Sequence, residues 1–167
     1  MPNLKPVRTF ALLLTLSFAA PTSLLRADDP PPLSAGQTLY VPTYSSVWHG
    51  NLNDRGRPSE ILLSVMLSMR NTDPKYSLTL TSVKYYDTAG KLLREYLQEP
   101  RTLGPMGTVA YFVEHQDREG GTGANFVVTW RSERPINQPI AETVQVYHWG
   151  TQAKAFISRG QAIHPHE

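Results

Sequence analysis

From Gln37 onward, apolar side chains recur at every second position, in runs cut at short intervals by turn residues. The clearest run is Ile61, Leu63, Val65, Leu67 and Met69, with Ser64, Met66, Ser68 and Arg70 between its later members. Val109, Tyr111 and Val113 repeat the pattern, followed by Phe126, Val128 and Trp130 and then by Val144 and Val146. Successive side chains of a strand point to opposite faces, so this spacing builds a sheet with one buried face, whereas a helix needs an apolar stripe of period near 3.6. No segment sustains such a stripe. The best helical candidate, Lys91 to Glu99 with Leu92, Leu93, Tyr96 and Leu97, is short and follows a hairpin signal, and it reads as strand.

The punctuation agrees. Asn71-Thr72-Asp73-Pro74 combines side chains that bond their own backbone with a fixed φ, Asp87-Thr88-Ala89-Gly90 offers a glycine for positive φ, and Gly104-Pro105-Met106-Gly107 is another turn. These breaks define eight strands, at 37–44, 61–71, 77–86, 92–98, 107–115, 124–132, 140–149 and 155–159. Between Leu78 and Tyr86 the apolar phase slips from even to odd positions, which predicts a β-bulge near Ser82. The expected fold class is therefore all-β: an immunoglobulin-like antiparallel two-sheet sandwich of about seven to eight strands rather than a closed barrel.

Of the 167 residues, the first 27 have a different character. Lys5 and Arg8 precede the apolar run Phe10 to Ala20, and a polar, proline-containing exit follows, as in a secretory signal peptide. Eleven residues are too few to cross roughly 30 Å of hydrocarbon, which takes about 20 in a helix. The expectation is cleavage after Ala27, with a retained membrane anchor as the alternative. Residues 28–36, with three consecutive prolines, form a spacer, residues 37–162 a single domain and 163–167 a flexible tail. No transmembrane span is expected in the mature chain, which should be periplasmic or secreted.

With the leader set aside, 13 basic residues face 14 acidic ones, so the basic character of the precursor belongs to the leader and nothing favours nucleic acid. The absence of cysteine removes thiol nucleophiles, thiolate metal sites and a lipid-bearing cysteine. In an oxidising compartment it leaves packing, not cross-links, to hold the fold.

Several blocks together resemble one family: Leu39-Tyr40-Val41-Pro42 with Tyr44-Ser45, His49-Gly50, Arg70-Asn71-Thr72-Asp73, Tyr85-Tyr86-Asp87, Gly120-Gly121-Thr122-Gly123-Ala124-Asn125-Phe126 and Ser158-Arg159-Gly160. In this order, across residues 35 to 162, they resemble the bacterial secreted family catalogued as domain of unknown function 3124. The resemblance implies an exported β-domain and brings no activity, cofactor or partner with it.

The residues offer three kinds of site. In the loop from Asp117 to Asn125, Gly120, Gly121 and Gly123 would let backbone N–H groups form a nest for an anion or carboxylate, with Arg118 adding charge and Glu119 and Asn125 beside it. The plainer role for these glycines is a turn requiring positive φ. A phosphate-loop reading fails for want of a following lysine and helix. His115, His148 and Asp117 could meet at a metal only if their strands are neighbours, and solvent-facing strand ends are the simpler place for the histidines. His164 and His166 sit at the terminus, where divalent-ion binding would be adventitious. Finally, Trp48 and His49 open a long polar loop running to Pro58, beside which exposed aromatics would make a glycan or protein recognition surface.

No Gly-x-Ser-x-Gly elbow is present, and the carboxylates Asp117 and Glu119 lie on one Gly-rich loop, which seldom holds the separation that glycoside hydrolysis requires. The chain is therefore expected to be a non-catalytic binding or interaction module of the cell envelope that needs no cofactor and takes a protein, small-molecule or glycan ligand at the Gly120–Gly123 and Trp48–Pro58 loops. The alternative is a small hydrolase or metal-dependent enzyme using His49, His115 or His148 with Asp117. A third possibility, a structural part of an envelope assembly, predicts an exposed edge strand that recruits another chain.

Overall fold

A computed structural model describes residues 30–164. The predicted leader, the first two residues of the spacer and the last three of the tail lie outside that range. The strands are β1 (Ser34–Pro42), β2 (Ser46–His49), β3 (Ser59–Leu62), β4 (Ser64–Arg70), β5 (Leu78–Tyr86), β6 (Leu92–Glu95), β7 (Arg101–Leu103), β8 (Thr108–Val113), β9 (Asn125–Ile136), β10 (Ile140–Trp149), β11 (Gln152–Arg159) and β12 (Gln161–Ile163). One sheet runs β12-β1-β9-β5-β6, with β7 also paired to β5; a second runs β11-β10-β4-β8; β2 and β3 form a separate hairpin. All pairings are antiparallel and neither sheet closes on itself, so the chain is all-β and not a barrel.

The two sheets meet face to face over one core. Val41, Leu80, Val83, Phe126, Val128 and Trp130 come from the larger sheet, and Val65, Leu67, Met69, Val109, Tyr111 and Val113 from the smaller. Every one of these lies on the phase that the alternation assigns inward. Burying such a side chain contributes roughly 1.5–3 kcal/mol, which is how a cysteine-free domain of this size holds together.

Each expected strand has a counterpart, with two instructive differences. The expected strand 61–71 is two, β3 and β4, because the Leu63 N–H leaves the ladder to donate to the Ser45 carbonyl at 2.8 Å. The break does not disturb the alternation, since Leu63 is buried like Val65. The strands β2, β7 and β12, of three or four residues each, are too short to show a period. The predicted bulge is present: the β5–β9 register shifts between Leu80 and Ser82, and inward positions pass from Leu78 and Leu80 to Val83 and Tyr85. Glu95 caps the irregularity, its carboxylate accepting from the Val83 N–H at 2.8 Å and the Ser82 hydroxyl at 2.9 Å. Lys91 to Glu99 is strand over Leu92–Glu95 and otherwise irregular.

Candidate functional site

The phase change at the bulge turns the Tyr85 ring into the core against Phe126, with centroids 5.0 Å apart, and sends its hydroxyl to the sandwich end, where it donates to Asp117 Oδ2 at 2.9 Å. The other Asp117 oxygen accepts from the Glu119 N–H at 2.9 Å. Both carboxylate oxygens are thus committed to bracing their own loop. Burial, reinforced by Asp117, pushes the Tyr85 phenol far above its usual value, so it remains a donor throughout the physiological range.

Beside this pair a cleft of about 490 Å³ opens between the β6 and β8 edges. Leu93, Tyr96 and Val113 give it an apolar floor, while Arg94, Glu114, Arg118 and Glu119 supply a rim of both signs. Tyr96 spans the gap: its ring packs on Tyr111 and Phe126, and its hydroxyl donates to the Phe112 carbonyl at 2.9 Å. Burial raises its phenol as well, against the opposing pull of Arg94, whose guanidinium lies 5.3 Å from the ring centre.

The glycine loop is a single 3-10 turn, Gly121–Gly123, and two of its backbone donors are taken. The Gly121 N–H donates to Ser45 Oγ at 2.7 Å and the Gly123 N–H to Thr88 Oγ1 at 2.9 Å, while the Gly120 carbonyl accepts from both the Thr88 N–H and its hydroxyl. Gly121 has φ +74°, and a Cβ on Gly120 would strike the Tyr85 hydroxyl. Two of the N–H groups an anion nest would use are therefore spent on holding the loop to Ser45, just before β2, and to the 87–90 turn. Arg118 and Glu119 are exposed on the cleft rim, whereas Asn125 sits in β9, paired with Pro42 and Tyr86.

Trp48 and His49 lie on the β2–β3 hairpin, which carries a separate hollow of about 730 Å³ shared with Leu52, Arg57 and Glu60. Asn53 orders its tip: Oδ1 accepts from the Arg55 and Arg57 N–H groups at 2.9 and 3.1 Å. Gly121 reaches the foot of this hairpin through Ser45, yet the hollow and the cleft share no lining residue. The two loops named as candidates therefore border two separate hollows. Ser45, Thr88 and the Tyr85–Asp117 pair escaped the sequence reading because each partner lies on a remote strand or loop; the one local signal was Thr88 within Asp-Thr-Ala-Gly.

The condition set for a metal at His115, His148 and Asp117 fails. Strand β4 lies between β8, which leads to His115 and Asp117, and β10, which carries His148, so these strands are not neighbours. Among the described residues no three histidine or acidic groups gather as a metal would require. His49, His115, His148 and His164 are all exposed.

Compared with known families, residues 36–163 match the model described as Protein of unknown function (DUF3124). The chain belongs to this family. The match covers every strand of the DUF3124 domain except the first two residues of β1, so the order of blocks that pointed to the family is also the order of the sandwich. No curated protein matches the DUF3124 chain. It is similar to a crystal structure from Thermotoga maritima, titled Thermotoga maritima 1070, with 8% identity, a TM-score of 0.42 and coverage of 75% of this chain and 92% of that one. Among the described residues, no helix is long and apolar enough to cross a membrane.

Proposed function

We propose that this DUF3124 domain is a non-catalytic binding module of the cell envelope, periplasmic or secreted, that uses the β2–β3 hairpin as its recognition element. One observation carries the reading: Trp48 and Leu52 are 66% and 68% exposed on a hairpin whose tip and foot are both pinned by hydrogen bonds. Large apolar side chains exposed together on one ordered hollow are the kind of surface that interaction sites present. A tryptophan combines a broad ring face with few rotatable bonds, as recognition surfaces favour. Arg57 and Glu60 beside it supply polar contacts of both signs. This chemistry fits a ligand presenting a sugar ring or an apolar protein surface. The leader-like N-terminus supports the compartment.

Photo-crosslinking from position 52 in intact cells, with mass spectrometry of the products, tests the reading. Wild-type protein should give discrete adducts that disappear in Trp48→Ala while its circular dichroism is unchanged. Adducts that persist in folded Trp48→Ala would overturn it.

A further inference from the structure

We infer that the free edge of β11 is a homodimer interface, joining two copies antiparallel so that their four-stranded sheets continue as one. Strand β11 ends its sheet, and its ladder with β10 runs for eight residues without a register shift. The Gly160 N–H donates to the Ala141 carbonyl at 2.8 Å, which fixes the phase of that ladder. Even-numbered residues of β11 bond to β10, and Ala153, Ala155, Ile157 and Arg159 turn their N–H and C=O groups to the open side. All four are exposed.

Other edges are guarded in ways this one is not. On β8 the Tyr96 hydroxyl occupies the Phe112 carbonyl; β6 is four residues long with a register shift; β12 has only three residues. Short, bulged or blocked edges are the usual protection against strand addition. Strand β11 has neither proline nor bulge, and it exposes Phe156 on one face and Ile157, 59% exposed, on the other.

A second copy fits because the strand is self-complementary. A two-fold axis normal to the sheet keeps each face on its own side, so paired residues must share parity. Centred on Phe156, the pairing sets Phe156 opposite its counterpart, Ile157 opposite Ala155, Lys154 opposite Ser158 and Arg159 opposite Ala153. No like charges face each other, and every outward N–H and C=O of the four odd residues finds a partner, about eight hydrogen bonds in all. On the outer face, the register of the smaller sheet already aligns Phe112, Met66, Val144 and Ile157 in one apolar row, which the second copy would extend.

Sedimentation of the purified protein over a concentration series, up to millimolar, is the test. Wild type should dimerise reversibly. Ala155→Pro removes an N–H that β10 does not use, and Ile157→Lys puts charge at the seam; both should sediment as monomers with unchanged circular dichroism. Should Ala155→Pro fail to fold, Ile157→Lys carries the comparison. Phe156→Cys, the sole cysteine, should oxidise to a covalent dimer far faster than Ala153→Cys. A wild type that stays monomeric throughout would overturn the proposal. So would a dimer lost in Phe112→Lys but kept in Ile157→Lys, since that would place the contact on the sheet face.

Discussion

The Tyr85 hydroxyl reaches Asp117 Oδ2 across 32 residues of sequence at 2.9 Å, tying the last inward position of β5 to the loop that precedes β9. Tyr85→Phe leaves a half-buried carboxylate oxygen without its donor. Hydrogen bonds to charged groups contribute about 1.5–3 kcal/mol, so urea unfolding of Tyr85→Phe should show a loss of about 2 kcal/mol at an unchanged m-value.

The same residue shapes the alkaline limb of stability. Its phenol in the folded state lies above the unfolded value near 10, so the stability tied to the neutral form is complete below about pH 10 and lost as pH rises further. Tyr85→Phe should reduce the slope of unfolding free energy above that pH by about one proton. The slope that remains belongs in part to Tyr96, also raised by burial.

At the acid end the relevant group is Asp73. The Lys75 N–H on Oδ1 holds its carboxyl below the ordinary range, with further help from the Tyr76 and Asn137 N–H groups and against the contrary effect of burial. Because the folded value is depressed, this stability is present above about pH 4 and disappears as pH falls through the folded value. Asp73→Asn should be less stable at neutral pH and show a flatter acid limb in denaturation followed by tryptophan fluorescence.

Two glycine substitutions should separate geometry from crowding. Gly90 has φ +82° and open space around it, so Gly90→Ala costs only backbone strain, about 1–2 kcal/mol. Gly120→Ala drives a methyl into the Tyr85 hydroxyl and Ser45 Oγ; overpacking typically costs about 1–3 kcal/mol, and here the Tyr85–Asp117 bond should go with it. Thermal melts of the two variants side by side give the comparison, with Gly120→Ala the lower.

The core was legible because period two survives local irregularity: Leu63 leaves its ladder and Thr81 bulges, yet Val65, Leu67, Val83 and Tyr85 still point inward. The Arg70-Asn71-Thr72-Asp73 block was readable as a strand end leading into a turn and as part of the family resemblance, but not as a set of contacts. In the fold it is a hub, with Asn71 Nδ2 donating to the Tyr76, Leu103 and Gly104 carbonyls and Asp73 reaching Asn137. Partners so distant in sequence leave no spacing to detect. For the same reason the glycines around Gly121 suggested an open nest, since nothing nearby announces that Ser45 and Thr88 fill it. Trp48 was legible as a member of a long polar loop, though not as part of a hairpin, because β2 and β3 are only four residues each.

The first strand of the larger sheet is also the one that waits longest. Residues of β1 pair with β9 roughly ninety positions later and with β12 more than a hundred later, as in Thr38 opposite Thr129 and Ile163. Contacts so remote in sequence form slowly. A polypeptide made from its N-terminus therefore carries β1 with neither ladder partner until β9 has been made, and with one side still open until β12 follows.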